Sequence, residues 1–258
     1  MMDPIELIID LHARNERLGP GGDVETVRAL DLAGLASARP AAAAPLEIAD
    51  LGAGTGASAL VLARSARAHV TAIDAAPRFV ERIAERAAEA GLAARIDARV
   101  GTMEAPGFAD ESLDAVWSEA AIYNIGFDAG VRAWRRFLKP NGVLVVSDLV
   151  WTTEKRPAEI DAHWRREYPG IGLPSDRLRT LEAAGYAPIG FFPIPPRCWT
   201  DNYFAPLRAG FEAFLSRHGH APEARAIVAA EEAEMRLFDA FGAWFGYAFF
   251  LARRSDPS

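Results

Sequence analysis

Asp50-Leu-Gly-Ala-Gly-Thr-Gly56 sets three glycines between an apolar run and a helix-like stretch. A turn of this kind lets a ligand lie against bare backbone. Asp74 closes the next apolar run, where a carboxylate is placed to accept hydrogen from both hydroxyls of a ribose. The loop also satisfies the dinucleotide pattern through Gly52, Gly54 and Ala57, so a nicotinamide or flavin enzyme is one alternative. Asp50 weighs against it. A carboxylate repels a pyrophosphate but attracts a sulfonium nucleotide or its ammonium group. A plain glycine turn with a helix-capping aspartate is the competing structural account.

Other residue types capable of chemistry fall after later apolar runs. Ser118-Glu-Ala-Ala-Ile-Tyr-Asn124 offers Glu119 as a base and Tyr123 as a pocket wall. Trp151, His163, Trp164 and Tyr168 lie in one irregular stretch, and Trp199, Asn202, Tyr203 and Phe204 open another. Large amphipathic side chains of this sort suit a closed, mostly apolar pocket with a few polar anchors, and equally suit the core of the stretches that carry them. His163 is the best histidine for a general base. His218-Gly-His220 reads as a turn, with no metal expected there, and Glu231-Glu-Ala-Glu234 reads as a solvated helix face.

The elements that must position these residues alternate. Apolar runs at Leu46–Leu51, Val70–Ile73, Ile96–Val100, Leu113–Trp117, Val143–Val150 and Ala187–Pro193 read as strands. Helical periodicity falls at Ala57–Ser65, Arg78–Ala90, Ala129–Leu138 and Asp176–Ala184, with Lys139-Pro-Asn-Gly142 as a turn. Strands and helices in this rhythm predict an α/β fold with a parallel sheet and helices on both faces. Two stretches depart from it, 151–175 and 194–243, the second with helices at Pro206–Arg217 and Pro222–Phe241. A last strand, Trp244–Arg253, is expected antiparallel to the sixth. Ahead of the rhythm, Ile5, Ile8 and Ile9 mark one helix, Asp23 opens a second, and Arg39–Pro45 is a proline-bounded connector.

Taken together, these motifs resemble the class I S-adenosylmethionine-dependent methyltransferases, in particular the small-molecule branch related to quinone-biosynthesis enzymes. Asp50–Gly56 resembles that family's first motif, Asp74 its ribose-binding acid, Phe108–Glu119 its fourth-strand motif and Leu138–Leu144 its entry to the fifth strand. Gly246–Leu251 resembles its reversed seventh strand. The resemblance implies a three-layer, Rossmann-like, seven-stranded sheet with an antiparallel final strand and helical lid insertions. It also implies S-adenosyl-L-methionine as cofactor, with S-adenosyl-L-homocysteine as product.

Ala53 and Ala75 accompany the glycines and Asp74 in the implied cofactor site. Thr102 and Met103 would flank the adenine, although many relatives carry an acid where Thr102 stands. Ser118 and Glu119 would lie beneath the sulfonium. Arg17-Leu-Gly19-Pro-Gly-Gly22 resembles a segment that some members lay over the cofactor, with Arg17 on the methionine carboxylate. Methyl transfer is an in-line displacement needing a nucleophile within about 3 to 3.5 Å of the methyl carbon. The expected walls for it are Tyr123, Trp151, Trp199 and Tyr203. The Asn-Pro-Pro-Tyr-like motif of the amino-methylating subset is missing after the fourth strand, which argues against adenine-N6 and glutamine as acceptors.

The 258 residues carry Lys+Arg 28 against Asp+Glu 35, a formal net charge of −7. That balance argues against a nucleic-acid binder, which relies on clustered basic residues. One cysteine, Cys198, excludes an internal disulfide and a cysteine-built zinc site. The apolar stretch Ala240–Ala252 is shorter than the roughly 20 residues of a membrane span. Asp3, Glu6 and Asp10 do not suit a signal peptide, so a cytoplasmic location is expected. The expected organisation is a helical cap over residues 1–45 and a catalytic domain over 46–258. Its expected partner is a small-molecule acceptor, and the aromatic insertions suit a homodimer interface as readily as a pocket. A non-catalytic cofactor-binding protein is the third alternative.

Overall fold

The computed structural model describes residues 3–36 and 44–255. Seven strands form one sheet: β1 Leu46–Leu51, β2 Ala68–Asp74, β3 Ile96–Val100, β4 Leu113–Ser118, β5 Leu138–Trp151, β6 Tyr186–Pro193 and β7 Phe245–Arg254. Their spatial order is β3-β2-β1-β4-β5-β7-β6. The first five run parallel, and β7 is antiparallel to both β5 and β6. The strand order therefore reverses between β1 and β4, and the crevice beyond their carboxyl ends is where such sheets bind ligands. The sequence expectation for the sheet, including the reversed last strand, holds.

Helices α1 (Pro4–His12) and α2 (Asp23–Leu32) precede the sheet. Between strands come α3 (Ala57–Ser65), α4 (Pro77–Glu89), α5 (Phe127–Trp134), α6 (Ala158–Glu167) and α7 (Pro174–Ala183). The second insertion is almost continuously helical: α8 (Arg197–Trp199), a π-turn over Thr200–Phe204, α9 (Ala205–Arg217) and α10 (Pro222–Phe241). Strands β1, β4 and β5 are buried nearly throughout, as strands covered on both faces must be. Trp117 and Phe249 fill one side of the sheet, and Trp134 and Phe250 the other.

Two local expectations change. Lys139–Gly142 is a bulge inside β5 rather than a turn before it: Leu138 pairs with Leu113, the register then shifts, and Val143 pairs with Ala115. In α1 the buried face is Leu7 and Leu11, while Ile5 and Ile8 are exposed. Helix α1 packs against α9 and α10, so its inward face is set by those partners and not by the isoleucines. Of the connector at 39–45, residues 39–43 lie outside the described residues.

Candidate active site

The glycine loop is strapped to the end of β2. The amides of Gly52 and Ala53 both donate to the Ile73 carbonyl at 2.9 Å. Gly52 and Gly54 have φ of +72° and +54°, a region that side chains resist. Space forbids a side chain there as well. A Cβ on Gly52 would lie 2.5 Å from Ala121 Cβ, and one on Gly54 would lie 2.9 Å from Leu18 Cδ1. Asp74 is fixed over the loop: Oδ2 accepts from the Gly54 amide and Oδ1 from the Ala76 amide, each at 2.9 Å. Burial raises its carboxyl, and the amides of Ala76 and Gly54 partly offset that.

These residues border a cavity of about 680 Å³. Gly52, Ala53, Gly54, Asp74, Ala75, Thr102 and Met103 all line it, and Met103 lies against Gly52, its Sδ 3.2 Å from where a Cβ on that glycine would sit. Trp134 Nε1 donates to the Met103 carbonyl at 2.8 Å, which holds that loop in place. Gly101, which precedes Thr102 and Met103, borders the cavity too, and so does Phe79, which was not anticipated. The N-terminal segment closes over the top. Thr55 Oγ1 donates to the carbonyls of Asn15 and Glu16, and Arg86 donates to the carbonyls of Glu16 and Thr55, so the segment is stitched to the glycine loop. Gly19 borders the cavity.

Four residues expected at the cofactor are engaged elsewhere in the protein. Gly56 is not on the cavity wall: it is the left-handed N-cap of α3, and its amide turns back to Ala53. Ser118 is fully buried and donates to the Leu51 carbonyl at 2.8 Å, joining β4 to β1. Asp50 is fully buried behind the loop, where Ser58 donates to Oδ2 at 2.6 Å. Its Oδ1 has no partner among the described residues, and burial pushes its carboxyl up to about 7. Arg17 reaches the cavity, but its guanidinium is spent on Glu119 at 3.0 Å and Asp23 at 2.9 Å. Burial alone would lower Arg17; those carboxylates outweigh it and raise it.

Glu119 is likewise not free to act as a base. Its Oε2 takes Arg17, and its Oε1 takes Thr26 Oγ1 at 2.7 Å and Trp117 Nε1 at 2.8 Å. It anchors the Arg17–Gly22 segment over the cavity and is better described as a positioning residue.

A second chamber, about 620 Å³, adjoins the first. The two share Gly19, Pro20, Ala120, Tyr123, Tyr203 and Glu234 among their walls. Trp199 lines the chamber from α8, stacked on Phe238 at 4.6 Å between centroids. His163 lines it from α6, edge-on to Trp164, and burial lowers its imidazole. Tyr168 is pinned by buried Asp148, which takes its hydroxyl at 3.2 Å and the Arg177 guanidinium at 2.6 Å. Trp151, expected as a wall, borders neither cavity. It is buried under Arg156, whose guanidinium carbon sits 3.9 Å from its ring centroid.

The site also includes residues that the sequence reading assigned to solvent. Glu231 and Glu234, one helical turn apart on α10, face inward, while Glu232 points out. Glu231 Oε1 meets His12 Nε2 of α1 at 3.0 Å. Burial, together with Glu231, pushes the Glu234 carboxyl up to about 7.

Residues 49–146 match the family described as Methyltransferase domain. This stretch is therefore similar to a methyltransferase domain. Over 149 residues the chain is 30% identical to a malonyl-[acyl-carrier protein] O-methyltransferase of Dechloromonas aromatica, covering 57% of this chain and 53% of that protein. Over 102 residues it is 37% identical to a dimethylglycine N-methyltransferase of Parasynechococcus marenigrum, covering 39% and 36%. The chain thus spans about half, or less, of the curated relatives it matches. A solved structure from Geobacter sulfurreducens, a methyltransferase in complex with S-adenosyl-L-homocysteine, superposes with a TM-score of 0.78 at 18% identity, covering 98% of this chain and 99% of that one. That likeness establishes the shared fold. The matched segment runs from the middle of β1 into β5, so it contains the glycine loop, Asp74, Thr102, Met103 and Glu119 but neither the N-terminal helices nor the helices that follow β5.

Proposed function

We propose that the chain binds S-adenosylmethionine in the outer cavity and transfers its methyl group to a small-molecule acceptor held in the inner chamber. The observation that carries this reading is the carboxylate of Asp74, fixed by two loop amides on the rim of a cavity whose floor is bare glycine backbone. Each Asp74 oxygen keeps acceptor capacity beyond the one amide it takes. The residues fit the cofactor: Asp74 would take the ribose hydroxyls, Thr102 and Met103 would flank the base, and Gly52 and Gly54 leave room for close approach.

When bound, S-adenosylmethionine supplies a methyl carbon made electrophilic by its sulfonium. The chain's own residues orient and enclose. Glu119, through Arg17, holds the segment that roofs the cavity. The walls shared by the cavities, Gly19, Pro20 and Ala120 among them, form the passage along which donor and acceptor would meet. Aromatic residues of α6, α8 and the π-turn exclude water from that passage, which favours transfer over side reactions. The net charge of −7 favours a small acceptor over a nucleic acid, and the action is assigned to the cytoplasm. No helix among the described residues is long and apolar enough to cross a membrane.

The test uses ¹³C-methyl-labelled S-adenosylmethionine, with purified chain and fractionated small metabolites. The labelled resonance is expected to leave the sulfonium position and appear on a new carbon in at least one fraction. Bound cofactor with no transfer to any fraction would favour the non-catalytic alternative.

A further inference from the structure

The inner chamber has a charge character of its own. Glu234 lies where the two cavities join, Glu231 is beside it in the outer cavity, and Glu167 lines the chamber. Among the described residues no lysine or arginine lines the chamber, and the one arginine on the outer cavity, Arg17, is spent on Glu119 and Asp23. An acceptor bearing a carboxylate or phosphate would therefore face Glu167 and Glu234 with no lysine or arginine of the described residues on the chamber wall to offset them. At about 4 Å, that repulsion grows from about 1 kcal/mol in water to about 4 kcal/mol near a protein surface.

Several polar groups at this junction also lack partners. Glu234 has no hydrogen bond or ion pair among the described residues, nor do the hydroxyls of Tyr203 and Tyr247. Tyr203 is 7% exposed and Tyr247 8%, and both line the chamber. His12, 7% exposed, spends Nε2 on Glu231 and leaves Nδ1 without a partner. Glu231 Oε2 and Trp164 Nε1 are likewise buried without a partner among the described residues; buried polar atoms are normally satisfied, so these orphans, beside groups that face open space, call for a ligand with hydrogen-bonding groups. Trp164, Tyr168 and Trp199 supply aromatic faces, which attract a cation as well as an apolar body.

We propose, resting on the methyl-transfer reading above, that the inner chamber takes an apolar amine lacking any acidic group, and that Glu234 holds its nitrogen and receives its proton. The ammonium gives one proton to the Glu234 carboxylate. The freed nitrogen lone pair forms a C–N bond to the methyl carbon as the C–S bond breaks, its electron pair returning to sulfur as the neutral thioether. The immediate product is the methylated ammonium, and the proton on Glu234 leaves past Glu231 and His12. A carboxyl raised to about 7 can hold and release that proton near neutral pH, and burial in an apolar chamber also makes the ammonium a stronger acid. The charged and titratable groups facing Glu234 are Glu231 on its own helix, His12 of α1, Tyr203 of the π-turn, Tyr123 and Tyr247.

The experiment loads the full chain with S-adenosylhomocysteine and titrates three matched probes by calorimetry: tryptamine, tryptophol and tryptophan. Tryptamine should bind at least about tenfold more tightly than the other two. Glu234→Gln should erase that preference without changing the affinity for S-adenosylhomocysteine. Glu232→Gln, on the outer face of the same helix, should leave both unchanged. Tyr203→Phe, which removes only a hydroxyl, should weaken tryptamine severalfold and serves if the Glu234 variant does not fold. With S-adenosylmethionine in place of the product, mass spectrometry should detect N-methyltryptamine. Equal or tighter binding of tryptophol or tryptophan, no binding of tryptamine, or an unaltered Glu234→Gln variant overturns the amine assignment. Failure to bind S-adenosylhomocysteine at all overturns the methyl-transfer reading instead, and the amine assignment with it.

Discussion

Replacing Asp74 by alanine isolates the contact on which cofactor recognition depends. In the wild type each carboxylate oxygen takes one backbone amide at 2.9 Å, from Gly54 and Ala76, so the side chain is held by the loop before any ligand arrives. A bound ribose would add hydroxyl donors to the remaining lone pairs. Hydrogen bonds to a charged group contribute about 1.5 to 3 kcal/mol, so the alanine variant should bind S-adenosylhomocysteine about 10- to 150-fold more weakly. The fold should suffer less. Asp74 is only partly buried, and water can take over the two freed amides. Asp74→Asn keeps the volume but can accept from one amide only, so its affinity should fall between the two. The pH dependence has a definite sign. Burial raises the Asp74 carboxyl and ribose binding needs the ionised form, so wild-type affinity should drop as pH falls through a pKa above the usual carboxylate value. The alanine variant should lack that drop. Calorimetric titration across pH, with thermal melts of each variant, reads all of this. An unchanged dissociation constant in a folded Asp74→Ala protein would refute the ribose assignment.

Two further outcomes concern groups buried behind the cavities. Glu119→Ala strands Arg17, whose side chain is 10% exposed, with Asp23 as its remaining ion pair; stability in denaturant should fall by about 3 kcal/mol and cofactor affinity should fall with it. A loss below about 1 kcal/mol would mean that Glu119 does not hold the roof. Asp50 rises from an ordinary value of 3.8 to about 7 on folding, so the native state binds its proton more tightly and wild-type stability is lost as pH rises through that window. The slope attributable to Asp50 is about 1.4 kcal/mol per pH unit, and Asp50→Asn should remove it; parallel stability curves for the two proteins between pH 4 and 7 would contradict the burial argument.

The alternation of apolar runs and amphipathic stretches was enough to read the sheet, because strands buried on both faces leave continuous apolar signatures. The glycine loop and Asp74 were legible for a related reason: their chemistry is tied to a fixed turn between two adjacent elements. Side-chain direction was not. Asp50 and Ser118 sit at the carboxyl ends of β1 and β4, beside the crevice, yet both turn into the protein and bind Ser58 and Leu51. Trp151 looked like a wall because it is aromatic and follows β5, but it is covered by Arg156. The larger miss was α10. Its charges read as a solvated face, but Ala224, Val228, Met235 and Phe238 form a buried stripe, and Glu231 falls on that stripe at helical spacing. Ile227, Leu237 and Phe241 pack against the core along the adjoining row, which Glu234 shares. Two carboxylates on an apolar stripe were the available signal. What the sequence alone could not supply was the partner surface, α1 with His12, that makes that stripe the inner one.

The most direct test of the central claim is a calorimetric titration of the purified chain with S-adenosylmethionine, S-adenosylhomocysteine and NAD. The account predicts micromolar binding of both sulfur nucleotides, each lost in step with Asp74→Ala, and no heat from NAD. Binding of NAD alone would contradict it and assign the glycine loop to hydride transfer.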